Sequence, residues 1–480
     1  MLSLTIFLPL LAALLVLAFP ERAARWLALL GTVLTAALSL ILLGGYQTRG
    51  QGLQWRQTLE WIPAVGARYD VALSGISLAL VLLTTLLMVL VINYRLDRQP
   101  ERARTHAALF LLMETGLLGV FCARDLLLFY LFFEVALVPM YFVIGIFGHS
   151  QRRYAALKFF LYTRAGSLAM LLSLLALALP VGSFSLDAIV AAQPLADHPA
   201  RAAVVLLGLM VGFGVKLPIL PLHNWLPDAH VEAPTEGSVV LAGLQLKLGA
   251  YGMLVILPTV AAALRSWALA LLYLSVGSLL YGILAALGQT DLKRLVAYSS
   301  IGHMAFVLMG VSAAALSPDP AVQTLARNGA VLQTFSHGLL TGGMFFLVGM
   351  LRERTGTREL SELAGLLRGR SGWGGLTALL AFGSLGLPGL SGFIAEFQVL
   401  AATLAVNPAA ACLGALGLLL ATGLYLKVVV TLLLQEPESE RAIAAPRPLE
   451  WATLAPLLLL SLWIGLLPAT WLGLIGGAGG

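Results

Sequence analysis

Charged side chains are scarce in this sequence: they make up only 11% of its 480 residues, whereas 59% of the residues are hydrophobic. Soluble domains carry about 25% charged residues, so a soluble protein of this length would lack the polar surface needed to cover its core. Cysteine is almost absent. Cys122 and Cys412 lie far apart in apolar stretches, which excludes a cysteine-ligated zinc site or iron–sulfur cluster.

Long apolar runs recur along the whole chain, and a helix needs about 20 such residues to cross a bilayer. We count about fourteen spans and predict an all-α polytopic membrane protein. Residues 2–18 are predicted to form the first membrane helix rather than a cleaved signal peptide. Basic residues concentrate in alternate loops, including those near Arg95, Arg152 and Lys293, which predicts that these loops face the cytoplasm. The net charge of +6 therefore requires no nucleic-acid partner.

Two of the predicted spans are too long and contain helix breakers. Pro218 lies in the span 203–226 and Pro388 in the span 371–405, and proline removes a backbone donor from a helix. Paired broken helices in inverted halves are typical of transporter sites, although the prolines of kinked packing helices are an alternative. The sequence therefore predicts two inverted repeats of about five helices, each with a broken helix. The expected organisation is N-terminal helices over 1–106, a first repeat over 107–258, a second repeat over 266–434 and a C-terminal helix over 451–480.

Several ionisable residues lie inside these apolar spans, where each charge costs roughly 2.5–3.5 kcal/mol. They are Glu134, Lys216, Lys247, His303, His337 and Glu396. Burial disfavours the charged forms of lysine and glutamate, so such groups can gain or lose a proton when a nearby charge moves. Histidine titrates near neutral pH and can relay protons between them. The pattern predicts a proton path through the membrane.

Each of these residues also has a structural interpretation. The lysines and glutamates could form fixed ion pairs, and the two histidines could be packing residues or haem ligands. Glu114 is either an additional proton site or the partner of Arg164. Arg164 and Lys427 are interpreted as structural residues or as long side chains that reach the membrane surface.

Five segments carry a resemblance to a known family. They are KLPILPLHNWLPDAH (216–230), VEAPTEGSVVLAGLQLKLGAYG (231–252), DLKRLVAYSSIGHMAFVLMG (291–310), FSHGLLTGGMFFLVG (335–349) and GLPGLSGFIAEF (386–397). Together they resemble the proton-pumping, antiporter-like subunits of respiratory complex I. The family also includes subunits of multisubunit sodium/proton antiporters and of membrane-bound hydrogenases. The likeness extends over roughly residues 70 to 430, and Glu236 departs from it, since a small residue is expected there.

The resemblance implies a role for each buried charge. Glu134 and Lys216 correspond to a coupled pair, Lys247 to a central relay, His303 and His337 to a connecting path, and Glu396 to the terminal site. A glutamate at position 396 favours the M-type branch, because the related branches carry lysine there.

The same resemblance implies that the chain itself binds no cofactor. NADH, FMN, iron–sulfur clusters and quinone would lie on partner subunits of a bacterial inner-membrane complex, in which L-type and N-type subunits are the expected neighbours. This chain would then be a non-redox subunit of a proton-translocating NADH:quinone oxidoreductase.

Other functions remain open at this point. A subunit of a multisubunit sodium/proton antiporter would share the buried charges. A membrane enzyme acting on lipid should show clustered acids or histidines at a membrane face, and none stand out. An assembly scaffold would use the buried charges only to form the complex.

Overall fold

The computed structural model describes residues 1–47, 52–96, 102–437 and 443–476. The predicted segments 1–106 and 451–480 therefore extend partly over residues outside the described ranges. The first elements in chain order are α1 (Leu2–Ala18), α2 (Glu21–Gly44), β1 (Gln54–Ile62), β2 (Ala67–Leu73), α3 (Gly75–Tyr94), α4 (Ala103–Cys122), α5 (Leu126–Phe147), α6 (Arg152–Ala178), α7 (Leu186–Ala192) and α8 (Pro199–Lys216).

The elements that follow α8 are all helices. They are α9 (Trp225–Glu232), α10 (Thr235–Val240), α11 (Leu246–Val255), α12 (Ala261–Leu287), α13 (Leu292–Leu316), α14 (Pro320–Thr355), α15 (Ser371–Ser384), α16 (Ser391–Val406), α17 (Pro408–Val429), α18 (Pro448–Leu466) and α19 (Pro468–Gly476). Within the described ranges, 11 helical segments are long and apolar enough to cross a membrane, and α1 and α16 are shorter apolar helices. The predicted all-α polytopic fold is confirmed, whereas the count of about fourteen spans and the inverted repeats stay predictions.

The chain divides into two compact units. The first consists of Met1–Pro218, Leu244–Leu269 and Leu472–Gly480. In it α4 packs against α1 and α5, and α6 packs against α8. The second consists of Ile219–Gly243 and Ala270–Trp471, and in it α14 packs against α13 and α16. Helices α13 and α14 are buried over most of their length, which is the environment that buried polar side chains need if they are to avoid lipid.

A two-stranded antiparallel hairpin precedes the third membrane helix. Residues 67–73 form β2, so the membrane helix that follows, α3, begins only at Gly75. The strands turn through Gly66, whose φ of 71° lies in the left-handed region that glycine adopts without strain. In β1 the apolar residues Leu59 and Trp61 alternate with the polar residues Thr58 and Glu60, a strand period that was not recognised in the sequence.

Ion pairs tie the hairpin to the helices of its own unit. Arg56 Nη2 lies 2.6 Å from Asp70 Oδ2, and Arg56 Nη1 lies 3.0 Å from Asp187 Oδ2. Asp187 also binds Arg124, at 2.5 Å. Partial burial alone would raise the pKa of Asp187, but its hydrogen bonds and attraction to Arg124 and Arg56 outweigh burial and hold that pKa below its ordinary value. The cluster therefore stabilises the hairpin most when Asp187 is ionised.

Both proline-containing spans are interrupted in the structure. Helix α8 ends at Lys216, and α9 begins only at Trp225, with Pro218 and Pro221 between them. Helix α15 ends at Ser384 and α16 begins at Ser391. The second interruption contains Gly386 and Gly389, both at positive φ, where an L side chain would be strained. Each interruption frees backbone groups inside an apolar segment, and such groups are tolerated at membrane depth only where protein covers them or where they line water.

Candidate functional site

Glu134 on α5 is bound by the guanidinium group of Arg164 on α6. The Arg164 side chain remains 42% exposed, so the pair lies at the edge of the unit. Arg164 therefore binds Glu134 and not Glu114, which was considered as its partner from the sequence. Sequence reasoning gave Arg164 a general structural role and did not identify it as the partner of Glu134.

Lys216 is the last residue of α8 and is only 1% exposed. Its ammonium group lies 5.2 Å from the ring centre of Phe159 and 5.6 Å from that of Phe133. Both distances are within the range of a cation–π interaction. Within the described part of the chain, Lys216 Nζ has no hydrogen-bond partner and forms no ion pair with Glu134. The expected Glu134–Lys216 couple is therefore separated in this structure, with the carboxylate on Arg164 and the lysine among aromatic rings.

Lys247 is fully buried on α11, directly after a π-helical turn at Leu241–Gln245. Wide helical turns of this kind often occur at functional sites. Helix α11 lies very close to α8 at Gly249. A Cβ atom added there would lie 2.5 Å from the Phe213 carbonyl oxygen and 3.1 Å from Lys216 Cβ. Glycine is required at this contact. The packing holds the helices of Lys216 and Lys247 against each other in the first unit.

The second unit contains a buried cluster of polar side chains from three helices. His303 Nδ1 on α13 lies 2.9 Å from Glu396 Oε1 on α16. Gln333 on α14 donates its amide to the His303 carbonyl oxygen at 3.1 Å and approaches Glu396 Oε1 at 3.4 Å. The His303 and His337 rings have their centres 6.3 Å apart. The structure therefore brings three predicted residues together with Gln333, which sequence reasoning missed.

A small cavity joins these side chains. Its volume is about 10 Å³, and its lining includes His303, His337, Gln333 and Glu396. A space of about this size holds a single water molecule when several polar groups surround it.

The signal for Gln333 was present in the sequence, because it lies four residues before His337 and residues at that spacing share a helix face.

Hydroxyl groups extend the polar region of the second unit. Ser336 Oγ lies 2.7 Å from Ser391 Oγ, which lies 2.8 Å from Ser461 Oγ. Ser299 and Tyr425 approach each other at 3.0 Å. Each hydroxyl can donate and accept a hydrogen bond, so such chains can carry a proton as well as anchor helices. The sequence pattern did not indicate any of these hydroxyl residues.

Two further acids are buried. Glu114 on α4 is fully enclosed, and neither carboxyl oxygen has a hydrogen-bond partner within the described residues. Glu236, the departure noted above, is buried on α10. Across the described ranges, no group of three or more histidine, cysteine, aspartate or glutamate side chains is arranged to hold a metal ion.

The fold and these buried groups define a class: a polytopic membrane protein with ionisable side chains beside interrupted helices. The family described as "NADH:quinone oxidoreductase/Mrp antiporter, TM" matches residues 123–421. NADH-quinone oxidoreductase subunit M of Rickettsia conorii is 38% identical over 98% of this chain and 95% of its own. The Rhodobacter capsulatus protein of that name is 37% identical over 99% and 95%.

Solved structures give the same result. A chain of respiratory complex I from Thermus thermophilus with bound NADH matches with a TM-score of 0.88 and 31% identity, over 100% of this chain and 98% of that one. The Mrp complex from Dietzia sp. DQ12-45-1b has a TM-score of 0.87 over 99% of this chain and 51% of that one; at 23% identity it shows a shared fold alone. The chain belongs to the family of M subunits of NADH-quinone oxidoreductase, the antiporter-like membrane subunits of complex I. The predicted resemblance is thus confirmed.

Proposed function

We propose that this chain translocates protons across the bacterial inner membrane, as a non-redox subunit of NADH:quinone oxidoreductase. The observation that carries the proposal is the state of Lys216: a buried amine without a hydrogen-bond partner in the described residues, at the end of an interrupted helix. A purely structural lysine would be expected to have a carboxylate partner, because an uncompensated buried charge is costly.

In the first unit, Glu134 is proposed to move between Arg164 and Lys216. When the carboxylate is on Arg164, the amine of Lys216 loses its favourable partner and can release a proton. When the carboxylate returns, the amine is recharged. A charge pair at about 4 Å is worth roughly 4 kcal/mol at an effective dielectric constant near 20. That is comparable with the roughly 2.3 kcal/mol needed to move one charge against 100 mV, so the pair is of a suitable strength to drive the step.

Lys247 is proposed as the central relay, and His303, His337 and Glu396 as the path that ends at Glu396. The contact between His303 and Glu396 supports proton exchange between these two groups, because an imidazole and a carboxylate at 2.9 Å can share a proton. The small cavity supports a water-mediated link that includes His337.

The energy is proposed to come from partner subunits that carry NADH, FMN, iron–sulfur clusters and quinone. Their redox chemistry would reach this chain as changes in charge and packing passed through neighbouring L-type and N-type subunits. The predicted repeats, 107–258 and 266–434, would each supply half of the proton path.

The proposal is tested by purifying the intact membrane complex through an affinity tag on this chain. The complex should oxidise NADH with quinone as acceptor, and after reconstitution into vesicles it should acidify one side during turnover. A complex that has no NADH activity but exchanges sodium for protons would contradict the proposal and favour an antiporter subunit. Proton pumping that survives neutralisation of every buried charge would favour a scaffold.

A further inference from the structure

Three hydroxyl groups of the first unit lie in a row between two helices that are distant in sequence. The hydroxyl oxygen of Tyr251 on α11 lies 3.2 Å from Ser77 Oγ on α3, and both side chains are buried. Ser77 Oγ in turn lies 3.0 Å from Ser74 Oγ. We call these three side chains the hydroxyl row. All of them belong to the first compact unit.

One end of the hydroxyl row lies at the face of the unit that bears the hairpin. Ser74 directly follows β2 and is the N-cap residue of α3, where its side-chain oxygen accepts a hydrogen bond from the Ser77 N–H group at 3.2 Å. Ser74 is half-buried, so water can reach this end of the row. The basic residues that follow α3 lie at its opposite end, and they predict that the hairpin face lies outside the cytoplasm.

The other end of the hydroxyl row adjoins a buried amine. Lys247 and Tyr251 lie four residues apart on α11, so they share a helix face with their Cβ atoms about 5–6 Å apart. The flexible four-carbon stem of a lysine lets its ammonium group reach a hydroxyl group at that spacing. Both residues are buried. A proton that leaves Lys247 on this side therefore meets the Tyr251 hydroxyl before it meets bulk water.

Aromatic packing fixes the ring of Tyr251. Its ring centre lies 5.5 Å from that of Phe121, with the two planes at 82°, and 6.5 Å from that of Phe129. A buried tyrosine usually finds one hydrogen-bond partner for its hydroxyl group, and Ser77 supplies it. An anchor between α3 and α11 would need only that single bond. The second contact, from Ser77 to Ser74, extends the row to the hairpin face, and this continuity favours a relay.

We propose that the hydroxyl row is a proton branch that joins Lys247 to the hairpin face. The inference rests on the proposed function, in which Lys247 holds a proton in transit. Each hydroxyl group accepts one proton on its oxygen and gives up its own, so the three groups are chemically unchanged after each passage. The Lys247 ammonium group loses one proton, and a water molecule beside Ser74 gains it.

The test measures protons translocated per NADH oxidised in vesicles that contain the intact complex, together with complex yield and thermal stability. Tyr251→Phe removes the hydroxyl group and keeps the ring that packs against Phe121. Tyr69→Phe is the matched control, because the Tyr69 hydroxyl also lies close to a serine of the first unit, 2.7 Å from Ser3 Oγ, but it belongs to the hairpin and not to the hydroxyl row.

A second pair of variants keeps the test decisive if Tyr251→Phe does not assemble. Ser77→Ala removes the middle hydroxyl group of the row. Its matched control is Ser39→Ala, because Ser39 Oγ lies 2.9 Å from Thr85 Oγ1 in a buried contact between α2 and α3 of the same unit. Each serine variant loses one buried hydroxyl contact, so the two should have similar effects on thermal stability.

The expected result is a lower proton ratio in Tyr251→Phe and in Ser77→Ala, with a native ratio in both controls. The loss should be no larger than that of Lys216→Ala, because the row is one branch of the path. A native ratio in Tyr251→Phe and Ser77→Ala beside a lowered ratio in Lys216→Ala would overturn this inference alone and make the row an anchor. A native ratio in all three would overturn the proposed function as well. Equal losses in the variants and their controls would also count against the relay.

Discussion

Replacing Glu396 with glutamine tests the buried cluster of the second unit most sharply. The substitution keeps the shape of the side chain and an oxygen that can accept a hydrogen bond from His303 Nδ1, 2.9 Å away in the native protein. It removes the negative charge and the ability to bind a proton. Packing around α16 should therefore survive, while proton exchange with His303 should not.

The size of the effect follows from the short distance. With an effective dielectric constant near 20, opposite charges 2.9 Å apart attract by roughly 6 kcal/mol when His303 is protonated. This exceeds the roughly 2.3 kcal/mol needed to move a charge against 100 mV. Losing the carboxylate should accordingly slow proton transfer through this chain by at least about tenfold, since each 1.4 kcal/mol corresponds to a factor of ten.

The assay measures protons translocated per NADH oxidised in vesicles that contain the intact complex, together with complex yield and thermal stability. Glu450→Gln is the matched control, because Glu450 is also a buried glutamate of the second unit but binds Arg354 at 2.6 Å. The control should destabilise the protein by roughly 1.5–3 kcal/mol, the usual value of hydrogen bonds to charged groups, and leave the proton ratio unchanged. Glu396→Gln should show the opposite pattern. A normal proton ratio in Glu396→Gln would refute the reasoning.

Three other predictions concern the first unit. Arg164→Gln frees Glu134 to stay near Lys216; because polar contacts between membrane helices contribute about 0.6 kcal/mol on average, pumping should slow by roughly threefold in the vesicle assay. Gly116→Val forces a Cβ to within 2.6 Å of the Ala136 backbone nitrogen, so it should destabilise the complex by about 1–3 kcal/mol in thermal unfolding; Gly423→Val, where nothing lies within 4 Å, should not. Asp187 has a lowered pKa, so its stabilisation of the hairpin is complete above the ordinary carboxyl pKa and is lost as the pH falls through the lowered value, below about 4. The protection of residues 54–73 against hydrogen exchange, taken relative to the intrinsic exchange rate at each pH, should fall over that acidic range and should already be lower at pH 7 in Asp187→Asn; protection independent of both would contradict this account.

The membrane fold could be predicted because the bilayer imposes a simple rule on the sequence. Apolar runs long enough to span it are visible by length alone, and Pro218 and Pro388 mark the interruptions because proline cannot donate a backbone hydrogen bond. The hairpin escaped prediction because its strands are short and lie beside a long apolar run, into which the last residues of β2 merge. Burial there is decided by contacts with α4 and α5 that are distant in sequence.

The candidate site was predicted at the level of residues but not of partners. Lys216 and Glu396 stand out because charges are costly in an apolar span. The pairing of Glu134 with Arg164, 30 positions later, depends on how α5 and α6 rotate against each other, which side-chain packing decides. Gln333 was missed because an uncharged amide has a smaller burial cost and draws less attention, although it is in contact with both His303 and Glu396.

Proton pumping by the Lys216→Ala complex is the most direct test of the central claim, that buried charges in this chain carry protons during NADH oxidation. Lys427→Ala is the control, because Lys427 is exposed and donates hydrogen bonds to backbone carbonyls at the end of α12. Both complexes would be reconstituted into vesicles, and the protons translocated per NADH oxidised would be compared with the native value. The account predicts a lower ratio for Lys216→Ala and a native ratio for Lys427→Ala. An assembled Lys216→Ala complex that pumps with the native ratio would contradict it.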